Sequence, residues 1–336
     1  MTPLVELRNV SKIFERGFIR KVRVHAVRNV NLTIDKGEIL AVVGESGCGK
    51  TTLGKLIAGL IKPTKGEVLW LGKNIWRMKR GEFKKYRPLV QLIHQDPYAS
   101  LNPARTVLQI LGDPIRYYGL AKSKREVREK VIELLRYVGL TPPEYFLNKY
   151  PHHLSGGMKQ RLAVARALIP KPMLIVADEP ISMIDMSLRL SLLDLLKRLH
   201  KELGIAFVYI SHELASTRYF AHDGKTAIMY LGTIVEYGPT EQLIKNPVHP
   251  YLRAILSAMP VPDPEIARRR KVLELKSLEL PSPIKLPPGC PFETRCPFSR
   301  SICKEKMPEL RPIEEDHYVA CHIAEELPEW RPPWEE

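Results

Sequence analysis

Eight consecutive residues carry the plainest chemistry in this chain: Gly44-Glu45-Ser46-Gly47-Cys48-Gly49-Lys50-Thr51, a complete G-x-x-x-x-G-K-[ST] phosphate loop. Glycines at this spacing let the backbone bend tightly and aim successive N–H groups inward, where they cradle phosphate oxygens. Gly44, Ser46, Gly47, Cys48 and Gly49 would supply that cradle, and Thr52 follows in the first turn of a helix whose N-terminus favours anions. Lys50 would reach the β- and γ-phosphates, and the Thr51 hydroxyl would ligate Mg²⁺. The Cys48 side chain stands where the motif specifies nothing and is given no chemistry.

A pair of acids supplies what a triphosphate site also needs. Asp178-Glu179 closes the apolar run Met173-Leu174-Ile175-Val176-Ala177. At the end of a buried strand, Asp178 suits the carboxylate that holds Mg²⁺ through water, and Glu179 is placed to polarise an attacking water as general base. Far downstream, Cys290, Cys296, Cys303 and Cys321 follow a C-x₅-C-x₆-C-x₁₇-C spacing. Four thiolates suit either a 4Fe–4S cluster or a structural Zn²⁺, and free thiols remain the plain alternative. His317 and His322 lie close enough in sequence to substitute as zinc ligands. Either metal would stabilise a tail with little apolar material of its own.

The elements that must position these residues follow from hydrophobic periodicity. Leu4 to Val10 reads as a strand reaching towards Phe14, and Val22 to Ile34 as a second. Ile39–Val43 is a buried strand into the phosphate loop, and Thr52 to Leu60 a helix behind it. Short strands are expected at 67–71 and 89–94. From Thr106 to Pro170 the signal is helical, with Ser155 a natural N-cap. After the strand 173–177 come an amphipathic helix through Leu203, ended by Gly204, and a strand over 205–210. Buried strands alternating with helices predict an α/β core with a largely parallel sheet and a helical lobe between Gln95 and Met173. From Pro260 to Pro288 prolines break the pattern. The expected organisation is therefore 1–259, with a helical subdomain at about 96–172, and a proline-rich linker with a Cys-rich extension at 260–336.

Charge and hydropathy narrow the partners. The net formal charge is +15; residues 261–336 hold 12 basic and 15 acidic side chains, so the first 260 residues carry 40 against 22, an excess of +18. That excess fits a polyanionic ligand, an anionic membrane surface or nucleic acid. Arg77 to Arg87 forms one dense basic cluster and reads as a solvated surface. No apolar run approaches the ~18 residues of a membrane helix. The N-terminus lacks a basic segment followed by an apolar one, so the chain is expected to stay in the cytoplasm, where clustered cysteines point to metal rather than disulfides.

Together, the phosphate loop, Gln95, Leu154-Ser155-Gly156-Gly157-Met158-Lys159-Gln160-Arg161, Ile175-Val176-Ala177-Asp178-Glu179-Pro180 and Ser211-His212 resemble the ATPase of an ABC transporter. The L-S-G-G-x-x-Q-R signature is the most specific of these, and the resemblance covers roughly residues 4–258. It implies a mixed sheet with flanking helices and an inserted helical subdomain. It implies that Gln95 touches Mg²⁺ and senses the γ-phosphate, and that His212 is the switch histidine contacting it. Ser155, Gly156, Gly157 and Gln160 would serve nucleotide held by an opposite ATPase subunit. Ser182-Met183-Ile184-Asp185 departs from the family's usual S-A-L-D but keeps Asp185. Phe14 falls where an aromatic stacks on adenine in this family; Phe18 is a rival, and a core aromatic the competing reading.

Three further stretches resemble the oligopeptide and dipeptide importer branch: His94 to Pro103, Asn246-Pro247-Val248-His249-Pro250-Tyr251-Leu252-Arg253, and Gly289-Cys290-Pro291-Phe292-Glu293-Thr294-Arg295-Cys296-Pro297. Tyr98-Ala99 leans towards the second, F-type, of the two ATPase subunits in such importers. The resemblance implies ATP and Mg²⁺ as ligands and favours the 4Fe–4S cluster over Zn²⁺. As partners it implies a second ATPase subunit in a heterodimer, two transmembrane permeases and an extracellular solute-binding protein, at the cytoplasmic face of the membrane, with no nucleic acid. A soluble ABC ATPase acting on nucleic acid or ribosomes is the alternative function, and oligosaccharides the alternative cargo.

Overall fold

A computed structural model of the chain describes residues 2–17, 22–261, 263–269 and 272–332. Its described strands are β1 (Val5–Arg16), β2 (Val22–Ile34), β3 (Ile39–Val43), β4 (Lys65–Trp70), β5 (Lys73–Asn74), β6 (Val90–Ile93), β7 (Leu174–Asp178), β8 (Ala206–Ser211), β9 (Lys225–Tyr230), β10 (Thr233–Pro239), β11 (Arg311–Glu314) and β12 (His317–Val319). They form a four-stranded antiparallel sheet in the order β2-β1-β4-β5 and an eight-stranded sheet in the order β11-β12-β10-β9-β3-β8-β7-β6. The centre of the large sheet is parallel, from β6 through β7, β8 and β3 to β9. Beyond β9 every pairing is antiparallel.

Burial explains why the central strands are apolar along their whole length. Ile175, Ala177, Phe207 and Tyr209 face the helical lobe, packing in one core with Leu111, Val131, Leu135 and Leu162. Their neighbours Leu174, Val176, Val208 and Ile210 face the other way, towards Leu53, Leu56 and Ile57 of the phosphate-loop helix and Val5, Leu7 and Val68 of the small sheet. Side chains alternate across a strand, so a sheet covered on both faces needs apolar residues at every position. The lobe's helices Val107–Tyr117, Lys124–Tyr137 and Gly156–Leu168 are each N-capped by a side-chain oxygen, from Thr106, Ser123 and Ser155.

Two features differ from the sequence expectation. The strands before and after the phosphate loop's own strand form a second sheet rather than part of one largely parallel sheet. The large sheet, moreover, does not stop near Ile210: β9 and β10 continue it, and β12 and β11, from the Cys-rich region, complete it. Glu236 pairs with Val319 and Tyr237 with Tyr318, and the Ala320 N–H donates to the Val235 carbonyl at 2.8 Å. The C-terminal region is thus joined to the core by main-chain pairing. A third core, with Val43, Tyr230, Tyr251, Leu256, Phe292 and Cys296, fills the space between them.

Candidate active site

Parallel order is what assembles the site. In β3, β8, β7 and β6 the C-terminal ends lie side by side, and each is followed by a candidate residue. The phosphate loop follows β3, His212 follows β8, Asp178 ends β7 with Glu179 next, and Gln95 comes two residues after β6. Ligands of open α/β sheets bind at this edge of the strands.

The loop's glycines have different reasons. A Cβ on Gly44 would sit 2.1 Å from the Met229 carbonyl oxygen, and one on Gly49 2.0 Å from that of Ala26, so both are demanded by close backbone approach. Gly47, at φ +81, faces open space, and there the demand is for the left-handed turn alone. Lys50 is buried, and its ammonium donates to the Gly44 and Glu45 carbonyls at 2.6 and 3.0 Å, wrapping the loop around itself. Thr51 and Thr52 lie in the first turn of the helix Lys50–Ile57. The Cys48 thiol is buried against Gly44 and burial pushes its pKa up, in keeping with a packing side chain. Ser46 is exposed on the loop.

The acids meet their expected neighbours. Thr51 Oγ1 donates to Asp178 Oδ1 at 3.1 Å, so the two oxygens expected at Mg²⁺ are in contact. Burial raises the Asp178 pKa, and the Thr51 bond works against that rise. This hard-oxygen pair fits a magnesium ion. Gln95 Nε2 donates to Glu179 Oε2 at 3.0 Å, and His212 Nδ1 lies 3.3 Å from the same oxygen. Glu179 is 13% exposed and His212 44%, so the carboxylate is sheltered while the imidazole opens to solvent.

Ser155 Oγ accepts from the Met158 N–H at 3.3 Å, capping the signature helix as expected. Gly156 abuts the segment 182–185: its Cβ would lie 2.7 Å from the Met183 carbonyl oxygen. Gly157 borders a surface cleft of about 170 Å³ with Ser155, Met158 and Leu188, and Asp185 is exposed at the start of the helix Met186–Leu203. Gln160, expected among the nucleotide contacts, is 1% exposed, and its Nε2 donates to the His94 carbonyl at 3.4 Å, tying the signature helix to the approach to Gln95. Phe14 is 40% exposed, which removes the core reading, and Lys12 Nζ lies 5.2 Å from its ring centroid. Phe18 lies outside the described residues.

The four cysteines do come together. All are buried free thiols lining one cavity. Burial pushes the Cys290 thiol up to about 12 and those of Cys296 and Cys321 up to about 11. The cavity they line is about 10 Å³, room for a single water, and among the described residues no group of three or more His, Cys, Asp or Glu is set to hold a metal ion. His317 does not line that cavity, whereas His322 does. His317 is buried with Nε2 2.8 Å from Glu236 Oε1, and His322 Nε2 lies 2.7 Å from the Lys306 carbonyl.

Two residues that no motif placed at the site also reach it. Tyr251 and Arg295 both touch Glu45 in the phosphate loop. Each lies in a stretch resembling the importer branch, which was the only sequence signal available for them.

Comparison with known proteins decides the family. Residues 27–182 match the family model described as ABC transporter, and residues 235–303 that described as oligopeptide/dipeptide transporter, C-terminal region. The oligopeptide transport ATP-binding protein OppF of Salmonella typhimurium is 44% identical over 296 residues, 88% of this chain and 87% of that protein. The chain belongs to the ABC transporter ATPase family, in its oligopeptide/dipeptide branch. AppF of Bacillus subtilis, an oligopeptide transport ATP-binding protein, is 42% identical over 95% of this chain and 97% of its own. DppF of Pseudomonas aeruginosa, a di/tripeptide transport ATP-binding protein, is 39% identical over 97% and 99%. Among solved structures, the dimeric ATP-binding cassette MJ0796 in a post-hydrolysis state bound to ADP and Pi matches with a TM-score of 0.62 and 32% identity, covering 70% of this chain and 98% of that one. The chain is accordingly an ABC ATPase with the mixed α/β fold of that family. No helix among its described residues is long and apolar enough to cross a membrane.

Proposed function

We propose that this chain is the ATP-hydrolysing subunit that powers import of oligopeptides or dipeptides, seated on the cytoplasmic face of the membrane against two permeases and paired with a second, non-identical ATPase subunit. An extracellular binding protein would deliver cargo, so specificity would reside outside this chain. The single observation that carries the reading is the convergence of Gln95 and His212 on one oxygen of Glu179, beside a phosphate loop whose Thr51 already meets Asp178. The peptide-transport names of the relatives support the cargo class. They lend nothing to the nucleic-acid or oligosaccharide alternatives.

In this mechanism the loop N–H groups and Lys50 bind the triphosphate, and Phe14 offers its exposed ring to adenine. Mg²⁺, held by Thr51, Asp178 and Gln95, would neutralise charge on the phosphates. Glu179 accepts the proton of the water that attacks the γ-phosphorus, Gln95 fixes its carboxylate, and His212 steadies the phosphoryl group. Ser155, Gly156 and Gly157 would meet nucleotide held by the partner subunit, with Asp185 beside them, so that ATP closes the pair and hydrolysis reopens it. The four thiols would take a 4Fe–4S cluster, with Zn²⁺ the competing occupant; four buried free cysteines around one cavity support this, and binding would require that cavity to widen.

Co-purification from membranes through a tag on this chain tests the proposal. Two permeases and a second ATPase should accompany it, and absorbance of the same sample in the iron–sulfur charge-transfer region reports the cluster. Recovery without any permease sinks the importer reading.

A further inference from the structure

Glu45 is the second residue of the phosphate loop, a position the motif leaves unspecified, yet every polar group it has is engaged. Its carbonyl accepts from Lys50 Nζ at 3.0 Å. Its N–H donates to the Tyr251 hydroxyl at 2.8 Å. Its carboxylate accepts a two-pronged contact from Arg295, Nη1 to Oε2 at 2.8 Å and Nη2 to Oε1 at 3.1 Å. Two of the three engagements therefore come from segments more than 200 residues downstream.

Arg295 is built into its place. Its side chain is 6% exposed, against 33% for Glu45. The guanidinium lies 5.8 and 5.7 Å from the Tyr230 and Phe292 ring centroids, and Nη1 also donates to the Tyr230 hydroxyl at 3.3 Å. Tyr230, Tyr251 and Phe292 pack on one another with centroids 4.6 to 5.4 Å apart. The Arg295 backbone is fixed at both ends, its N–H donating to the Phe292 carbonyl and its carbonyl accepting from Lys276, each at 3.0 Å. A planar guanidinium held this way can meet a carboxylate bidentately with little further ordering.

We propose that Arg295 is a positioning residue for ATP: it neutralises the Glu45 carboxylate and, with Tyr251, fixes the phosphate loop in the shape that receives a triphosphate. The physical need is plain. A carboxylate inside a loop that binds a polyanion repels its ligand unless a cation answers it. The Cys-rich region, through this one contact, then sets how well the nucleotide site binds. The inference rests on the phosphate loop being the ATP site.

ATP affinity and steady-state ATPase kinetics of the full-length protein in its complex test it, in wild type, Arg295→Ala, Arg295→Lys, Arg295→Ala with Glu45→Gln, and Lys50→Ala. Arg295→Ala should weaken ATP binding about tenfold, the discount for partial exposure included, raising KM while kcat stays within about twofold. Arg295→Lys should lose less. Adding Glu45→Gln to Arg295→Ala removes the unanswered charge, so affinity should return towards wild type. A merely structural arginine predicts the opposite, a double variant no better than the single. Unchanged affinity in Arg295→Ala, or no recovery in the double variant, overturns the proposal. Should Arg295→Ala fail to fold, Arg295→Gln with and without Glu45→Gln gives the same comparison. Failure of the ATP-site reading itself would look different, with Lys50→Ala binding ATP as wild type does.

Discussion

Glu179 works from a backbone conformation that glutamate avoids. Its φ is +44°, in the left-handed region, which costs a non-glycine residue on the order of 1–3 kcal/mol. The surroundings hold it there: its N–H donates to the Ile210 carbonyl at 3.0 Å, and its carbonyl accepts from the Ser182 N–H at 3.2 Å and hydroxyl at 3.0 Å. Strain kept in place by neighbouring strands aims the carboxylate at Gln95 and His212. Glu179→Gln keeps shape and size but cannot take a proton. Hydrolysis should fall by roughly 10²–10⁴-fold while ATP affinity is retained, and a filter-binding assay beside phosphate release would show the split. Equal loss of binding and turnover would mean that Glu179 shapes the nucleotide pocket rather than accepting the proton. At this scale much was legible in the sequence, because Lys50, Thr51, Asp178 and Glu179 sit in short contiguous motifs at strand ends. The pair Glu45–Arg295 was not, since nothing local to either residue announces a partner 250 positions away. The burial of Gln160 was not legible for a related reason: a motif gives residue type, whereas helix phase decides which face the side chain takes.

Among the elements, the helix Pro250–Ala258 matters because it carries Tyr251 to the phosphate loop. Its start is capped by a histidine: His249 Nδ1 accepts from the Tyr251 N–H at 3.1 Å, which only the neutral ring can do. Burial, with Arg253 adding to it, pushes the His249 pKa from its ordinary 6.5 down to about 3. The unfolded chain therefore binds a proton there that the folded chain refuses. Stability is full above pH 6.5 and is lost as pH falls from there towards 3, by up to about 1.4 kcal/mol per pH unit. Glu236, whose pKa burial raises and which accepts from the His249 N–H at 2.8 Å, titrates with the opposite sign. A variant that keeps Glu236 isolates the histidine. His249→Asn preserves a capping acceptor and removes the titration. Denaturant unfolding at pH 6.5 and 5 should show wild type losing up to about 2 kcal/mol more than His249→Asn. Parallel losses in the two proteins would exclude His249 as the source. Periodicity revealed the longer helices and the inner strands up to Ile210, but neither this helix nor its cap, because histidine is not a typical N-cap and its role depends on being buried.

On the scale of the whole molecule, the sequence suggested a division at 259/260 from the prolines that follow it. What they could not reveal is that β11 and β12 return to the core sheet. Strands of four and three residues carry too little pattern to be seen, and the one that joins the core, β12, pairs with β10 some 80 residues earlier. Removal of everything after Met259 would bare the edge of β10, strip Phe292 from Tyr230 and Tyr251, and take His317 from Glu236, whose side chain is fully buried. Loss of the partner of a buried carboxylate costs roughly 3–5 kcal/mol, and each large apolar side chain withdrawn adds about 1.5–3. Water reaching Glu236 in the shortened chain would offset part of this. The expected result is a melting temperature lower by on the order of 10 °C, together with self-association through the bared strand edge. Thermal unfolding and gel filtration of residues 1–259 beside the full chain would read both. A shortened chain that melts with the full one and stays monomeric would show that 1–259 stands as an independent domain and that the C-terminal strands only decorate it.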